Sequence, residues 1–68
     1  MTRTQFIVAM ATHIARAGGL TARDALPRAS EAYQAFEGDC GVTFGDPGYA
    51  WNEDAARIVA TEYEVANW

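Results

Sequence analysis

Few side chains in this chain of 68 residues are equipped for covalent chemistry. Cys40 is the single cysteine and His13 the single histidine. A thiol and an imidazole act as nucleophile and base only when a fold brings them together in a pocket. His13 falls beside Phe6, Met10 and Ala17 on a helical wheel, which suits a half-packed histidine at a core border. Cys40 suits the part of a small apolar residue. Thr21 and Thr43 have no evident base. No catalytic residue is assigned, and a non-enzymatic protein is expected.

Oxygen donors are more plentiful. Residues 37–54, EGDCGVTFGDPGYAWNED, hold five carboxylates, four glycines and one proline. Asp39, Asp46, Asn52, Glu53 and Asp54 are all possible calcium ligands. Their spacing departs from the alternating acids, central Gly and distant Glu of an EF-hand loop. The glycines are not followed by Lys-Ser/Thr, as a phosphate-cradling loop requires. Neither a metal nor a cofactor is assigned.

Charge is more informative. The net charge is −4, but it is unevenly spread. Residues 1–30 carry Arg3, Arg16, Arg23 and Arg28 against Asp24, a balance of +3. Residues 31–68 carry eight carboxylates against Arg57 alone, a balance of −7. An acidic half repels nucleic acid and attracts basic protein surfaces; it also keeps a small domain in solution. The lone thiol suits a reducing compartment. The apolar run Phe6–Ala11 ends at Thr12 and His13, too short to cross a bilayer. A soluble cytoplasmic protein with no membrane partner is the expectation.

Three helices must position these residues, in a single all-α domain over residues 1–68. The first is expected over about 3–17. Thr2 and Gln5 match a capping box, Phe6, Met10, Ile14 and Ala17 recur at helical spacing with Ile7 beside them, and Gly18-Gly19 stop the helix. The second is expected over about 22–37, with Thr21 as N-cap and Asp24 in its first turn. Pro27 should force a kink or a restart. Leu26, Ala29, Ala32 or Tyr33, and Phe36 form its stripe, and Gly38 closes it. The third is expected over about 53–66, capped by Asn52, with Glu53 and Asp54 against the positive end of the helix dipole. Trp51 should staple on Ala56, and Ala55, Ile58, Val59, Tyr63 and Ala66 face inward.

The segment between the last two helices spans roughly 14 residues, against the usual 2–8 of a helix–helix connection. Val42, Phe44, Tyr49 and Trp51 are expected to hold it on one end of the bundle. Gly45-Asp46-Pro47-Gly48 is expected to form a type II turn, with the positive φ at Gly48.

The helix–GlyGly–helix arrangement resembles a helix-turn-helix, with Arg16, Arg23 and Arg28 as phosphate contacts in that alternative. Few Gln, Asn, Ser or Lys residues are on hand to read bases, and the chain as a whole is acidic. A surface for another protein fits better. Tyr, Trp and Arg dominate interface hot spots. The expected face comprises Asp46, Tyr49, Trp51, Glu53, Asp54, Glu62 and Trp68, and suits a partner with a basic surface. Carboxylates set where phosphates would lie could block a nucleic-acid-binding groove. A structural or self-associating subunit is the remaining alternative.

In its general character (tiny, acidic, with Arg as the only strong base) the chain looks like accessory proteins of phages and mobile elements. These include inhibitors of host defence such as anti-CRISPR proteins. The likeness carries no motif and transfers no residue role.

Overall fold

A computed structural model describes residues 1–68. It holds α1 (Arg3–Gly18), α2 (Ala22–Cys40), α3 (Glu53–Tyr63) and a single 3-10 turn over Val65–Asn67, with no strand. The protein is a small all-α three-helix bundle.

Side-chain caps set the three helix starts. The Thr2 hydroxyl accepts from the Gln5 backbone amide at 3.1 Å, and the Gln5 side-chain Oε1 accepts from the Thr2 backbone amide at 2.8 Å. Thr21 accepts from the Asp24 amide at 3.1 Å, and Asn52 Oδ1 from the Ala55 amide at 2.9 Å. Each cap satisfies an amide that the first helical turn leaves without a partner.

The ends and the buried faces depart from expectation at several positions. α1 ends on Gly19, in the left-handed region with φ 64°. Leu20 folds back so that its amide meets the Ala15 carbonyl at 2.9 Å. The buried residues of α1 are Phe6, Ile7, Met10, Ala11 and Ile14. Ala17 is exposed, because the helix outruns the core beyond Ile14.

α2 does not restart at Pro27; it runs unbroken from Ala22 to Cys40. Pro27 has no amide hydrogen for the Arg23 carbonyl, but both residues are exposed, so water can meet that oxygen. The unbroken 3.6-residue period buries Ala25, Ala29, Ala32, Tyr33 and Phe36. Leu26 therefore points outward, 44% exposed. Nor does α2 stop at Gly38. The left-handed cap is Gly41, with φ 65°, and the Val42 amide reaches the Glu37 carbonyl at 3.2 Å. Val42 is buried, supplying the apolar contact that accompanies such a stop.

α3 ends at Tyr63 rather than near 66, where Glu64 leaves helical geometry at φ −135° and ψ −67°. Its buried residues are Ala56, Val59 and Ala60. Ile58, expected inside, is exposed, as is Ala66.

The core has two characters. Alanines at positions 11, 25, 29, 32, 56 and 60 are buried, which lets the helix backbones approach closely. At one end aromatic rings take over. Phe6 has no exposed surface and meets Tyr33, Phe44 and Trp51 at centroid distances of 5.8, 6.1 and 5.3 Å. Edge-to-face contacts of this kind add to the stabilisation from burial alone. Phe44 and Trp51 are half-buried roofing on that end. At the other end Trp68 lies against the last turn of α1. A Cβ built on Gly18 would approach the Trp68 ring to 2.7 Å, so glycine there makes the close approach possible. No helix is long and apolar enough to cross a membrane.

Candidate functional site

The connection between α2 and α3 is built of two successive turns. The Asp46 amide bonds to the Thr43 carbonyl at 3.0 Å, and the Tyr49 amide to the Asp46 carbonyl at 3.2 Å. The positive φ sits in the first turn, at Gly45 with φ 92°, and Gly48 has none. The expected type II turn is therefore one turn earlier in the chain. Pro47 opens the second turn, where its fixed φ fits the first central position. Asp46 Oδ1 accepts from the Gly48 amide at 3.1 Å, and the Asp46 carbonyl accepts from the Trp51 indole at 3.0 Å. These bonds fix the placement of Tyr49 and Trp51.

The result is a groove of about 260 Å³ between this connection and the facing sides of α2 and α3. Phe36 of α2 is 5% exposed. Tyr49, Trp51 and Tyr63 surround it at centroid distances of 5.8, 6.2 and 5.8 Å, their planes inclined 81°, 73° and 73° to its ring. Tyr49 and Ile58 remain 43% and 51% exposed at the edge. The Tyr63 hydroxyl donates to Asp39 Oδ2 at 2.6 Å and lies 3.6 Å from Cys40 Sγ. Chiefly through that Asp39 bond, and also through Cys40, the Tyr63 phenol is held well above its ordinary pKa. Tyr49 is also raised, first by the charge Cys40 carries when ionised and then by burial. Both phenols therefore stay neutral under ordinary conditions.

Helix ends set the field around this groove. The last carbonyls of a helix carry partial negative charge, which favours cations there and disfavours carboxylates. Neither α2 nor α3 has a basic residue in its last turn. Glu37 and Asp39 lie instead in the last turn of α2, and Glu62 and Glu64 at the end of α3. Two of these four acids are paired within the chain, Glu37 with Arg3 at 3.9 Å and Glu64 with Arg28 at 3.5 Å. Arg3 also stacks 4.9 Å from the Tyr33 ring centroid, and the Tyr33 hydroxyl donates to Glu37 at 2.9 Å. Burial first, and Glu37 second, push the Tyr33 phenol up to about 12. Asp39 and Glu62 have no cationic partner; the only other ion pair joins Arg57 and Asp54 at 3.9 Å.

The seven residues expected to form one face divide among three places. Tyr49, Trp51 and Glu62 line the aromatic groove, and Asp46 supports its wall from behind. Glu53 and Asp54 lie in a polar cleft of about 310 Å³ with His13, Arg16 and Arg57. Trp68 lines a shallow hollow with Gly18, Leu20 and Arg28. Cys40 and His13 line different clefts, so the one thiol and the one imidazole do not converge. Arg16 and Arg28 each stand near carboxylates, while Arg23 is exposed and unpaired. No three His, Cys, Asp or Glu side chains gather as a metal ligand set.

Sequence reasoning weighed Asp39 only as a metal ligand and set Ile58 and Tyr63 on the inward face of the third helix, so none of the three was placed on the partner face. A signal for Asp39 exists, namely an acid in the last turn of a helix, but it appears only once α2 is known to continue to Cys40. No protein-family model matches the chain, and neither the characterised proteins nor the solved structures compared with it include a match.

Proposed function

We propose that the chain is a non-enzymatic protein-binding module that presents its aromatic groove to a positively charged partner surface. One observation carries this reading. An open groove walled by Phe36, Tyr49, Trp51 and Tyr63 is bordered by Asp39 and Glu62, two carboxylates with no cation of their own. Aromatic anchors in a pocket with a polar rim are the usual anatomy of an interface hot spot. The separated thiol and imidazole supply no nucleophile–base pair, which is in keeping with binding rather than catalysis.

A basic partner surface is characteristic of nucleic-acid-handling proteins. An acidic module seated there occupies the place of phosphates, so inhibition of such machinery, including that of host defence, is the function we favour. The test is capture of partner proteins by the native chain and by Ile58→Lys, which sets a like charge against a basic partner, with circular dichroism to verify that the variant folds. A partner retained by the native chain and lost by the variant supports the reading. A partner bound equally by both removes the groove from it.

One observation favours a second reading. α2 runs through Pro27 with Arg23 exposed and unpaired, so the second helix of a helix-turn-helix is not interrupted. Duplex binding that weakens with salt and with Arg23→Ala would support it; no mobility shift at low salt would remove it.

A further inference from the structure

We infer that the aromatic groove is a receptor for one arginine side chain of the partner protein, held between ring faces and paired with Asp39 and Glu62. This rests on the protein-binding reading and makes its chemistry specific.

Size comes first. A space of about 260 Å³ lies below the roughly 300–1,000 Å³ of pockets for drug-sized ligands. It suits a single side chain better than a cofactor. Shape comes second. Three rings inclined steeply to Phe36 line the space with it, forming a partial aromatic box. Such a box attracts a cation through the ring quadrupoles, and both tyrosines that contribute to it stay neutral.

Charge comes third. Every charge that borders the box is negative. Glu62 lines it directly, and Asp39 is joined to its Tyr63 wall by a 2.6 Å hydrogen bond. The carbonyl ends of α2 and α3 add partial negative charge. The chain offsets this with its own arginines at Glu37 and Glu64, but not at the box. An apolar anchor seated there would strip water from Asp39 and Glu62 and return no hydrogen bond. A guanidinium stacks flat on aromatic rings and forks onto carboxylates, which a lysine ammonium cannot do as well.

The test uses the full chain, labelled with nitrogen-15, and capped tripeptides Gly-Xaa-Gly with arginine, lysine, citrulline or leucine at the centre. Citrulline keeps the shape of arginine and loses the charge. The expected result is a saturable shift of the Trp51 indole signal and of the Cys40, Glu62 and Tyr63 amides with the arginine peptide. Trp68→Phe assigns the indole signal. Citrulline and leucine should bind on the order of tenfold more weakly or worse, and lysine more weakly than arginine. Asp39→Asn with Glu62→Gln should weaken arginine binding by a similar factor while leaving the spectrum of the free protein dispersed; Glu53→Gln should not. Citrulline, leucine or lysine binding as well as arginine would overturn the inference. So would shifts centred on His13 and Arg57, or no saturable shift at all. A partner protein that is lost by Ile58→Lys yet kept by the Asp39→Asn/Glu62→Gln variant would remove the arginine receptor and leave the binding module standing.

Discussion

The two ends of α3 carry the same chemistry with opposite consequences. At its start, Glu53 and Asp54 face the positive end of the helix dipole and share a cleft with His13, Arg16 and Arg57. Those acids stabilise the helix that bears them, so no partner is needed to account for their presence. At its end, Glu62 sits at the negative pole and lines a groove of rings with no cation, whose Tyr63 wall is bonded to Asp39 of α2. Here the carboxylates oppose the helix ends they occupy. Acidity alone does not nominate a binding surface; acidity that works against its own helix and is not offset within the chain is a better guide.

The comparison can be broken most severely at the groove floor. Phe36→Ala removes a buried ring that four other rings touch and should cost about 3–4 kcal/mol. That rivals the roughly 3–5 kcal/mol available to a core of this size. Circular dichroism should show a largely unfolded chain, whereas His13→Ala in the polar cleft should stay within about 0.5 kcal/mol of the native protein in a urea melt.

Next in size are two losses of about 1 kcal/mol. Asn52→Ala removes the cap of α3 and should lower stability by about 1 kcal/mol at any pH near neutrality. Tyr33→Phe removes the bond to Glu37 and should cost about 1 kcal/mol at neutral pH. Its effect should also depend on pH. Folding raises the Tyr33 phenol from 10.0 to about 12, so the folded state holds that proton more tightly than the unfolded chain. The added stability is complete below pH 10.0 and is lost as pH climbs towards about 12. Denaturant melts should show the native chain losing its advantage over Tyr33→Phe across that window. An advantage that stays constant from pH 9 to 11 would contradict a phenol raised first by burial and then by Glu37.

The smallest effects are the most discriminating, because they differ in sign. Glu62→Gln should stabilise the chain by about 0.3–1 kcal/mol, and Glu53→Gln and Asp54→Asn should each destabilise it by a similar amount. Thermal melts at low salt should resolve the two ends. If all three moved stability in the same direction, the contrast between the two ends would be lost.

Much of the bundle could be read from the chain because helix starts are local events. Thr2 with Gln5, Thr21 and Asn52 each cap within three residues of themselves, and the apolar spacing from Phe6 to Ile14 marks a buried face without help from the rest of the fold. Helix ends were harder. Gly38 and Gly41 are equally able to turn left-handed; burial of Val42 favours Gly41, and that is a tertiary effect. The same holds for Gly45 over Gly48, where Asp46 is committed to the second turn and to the Trp51 indole. Ile58 shows a further limit. Its spacing suits an inward face, but small alanines at 56 and 60 fill the narrow contact and leave it outside. The groove was therefore only partly foreseeable. Tyr49, Trp51 and Glu62 lie on it, while Glu53, Asp54 and Trp68 lie elsewhere, because nearness along the chain does not carry over to nearness in space.

The box draws its rings from stretches far apart in the chain: Phe36 from α2, Tyr49 and Trp51 from the connection, Tyr63 from α3. Unfolding scatters them, so whatever fills the box must act as a clasp on the whole bundle. At a hundred times its dissociation constant, such a ligand would add about 2.7 kcal/mol to the stability, a large increment for so small a core. Melting-temperature shifts with guanidinium compounds thus offer a label-free search for the natural occupant, with the protein's own fragility as the detector.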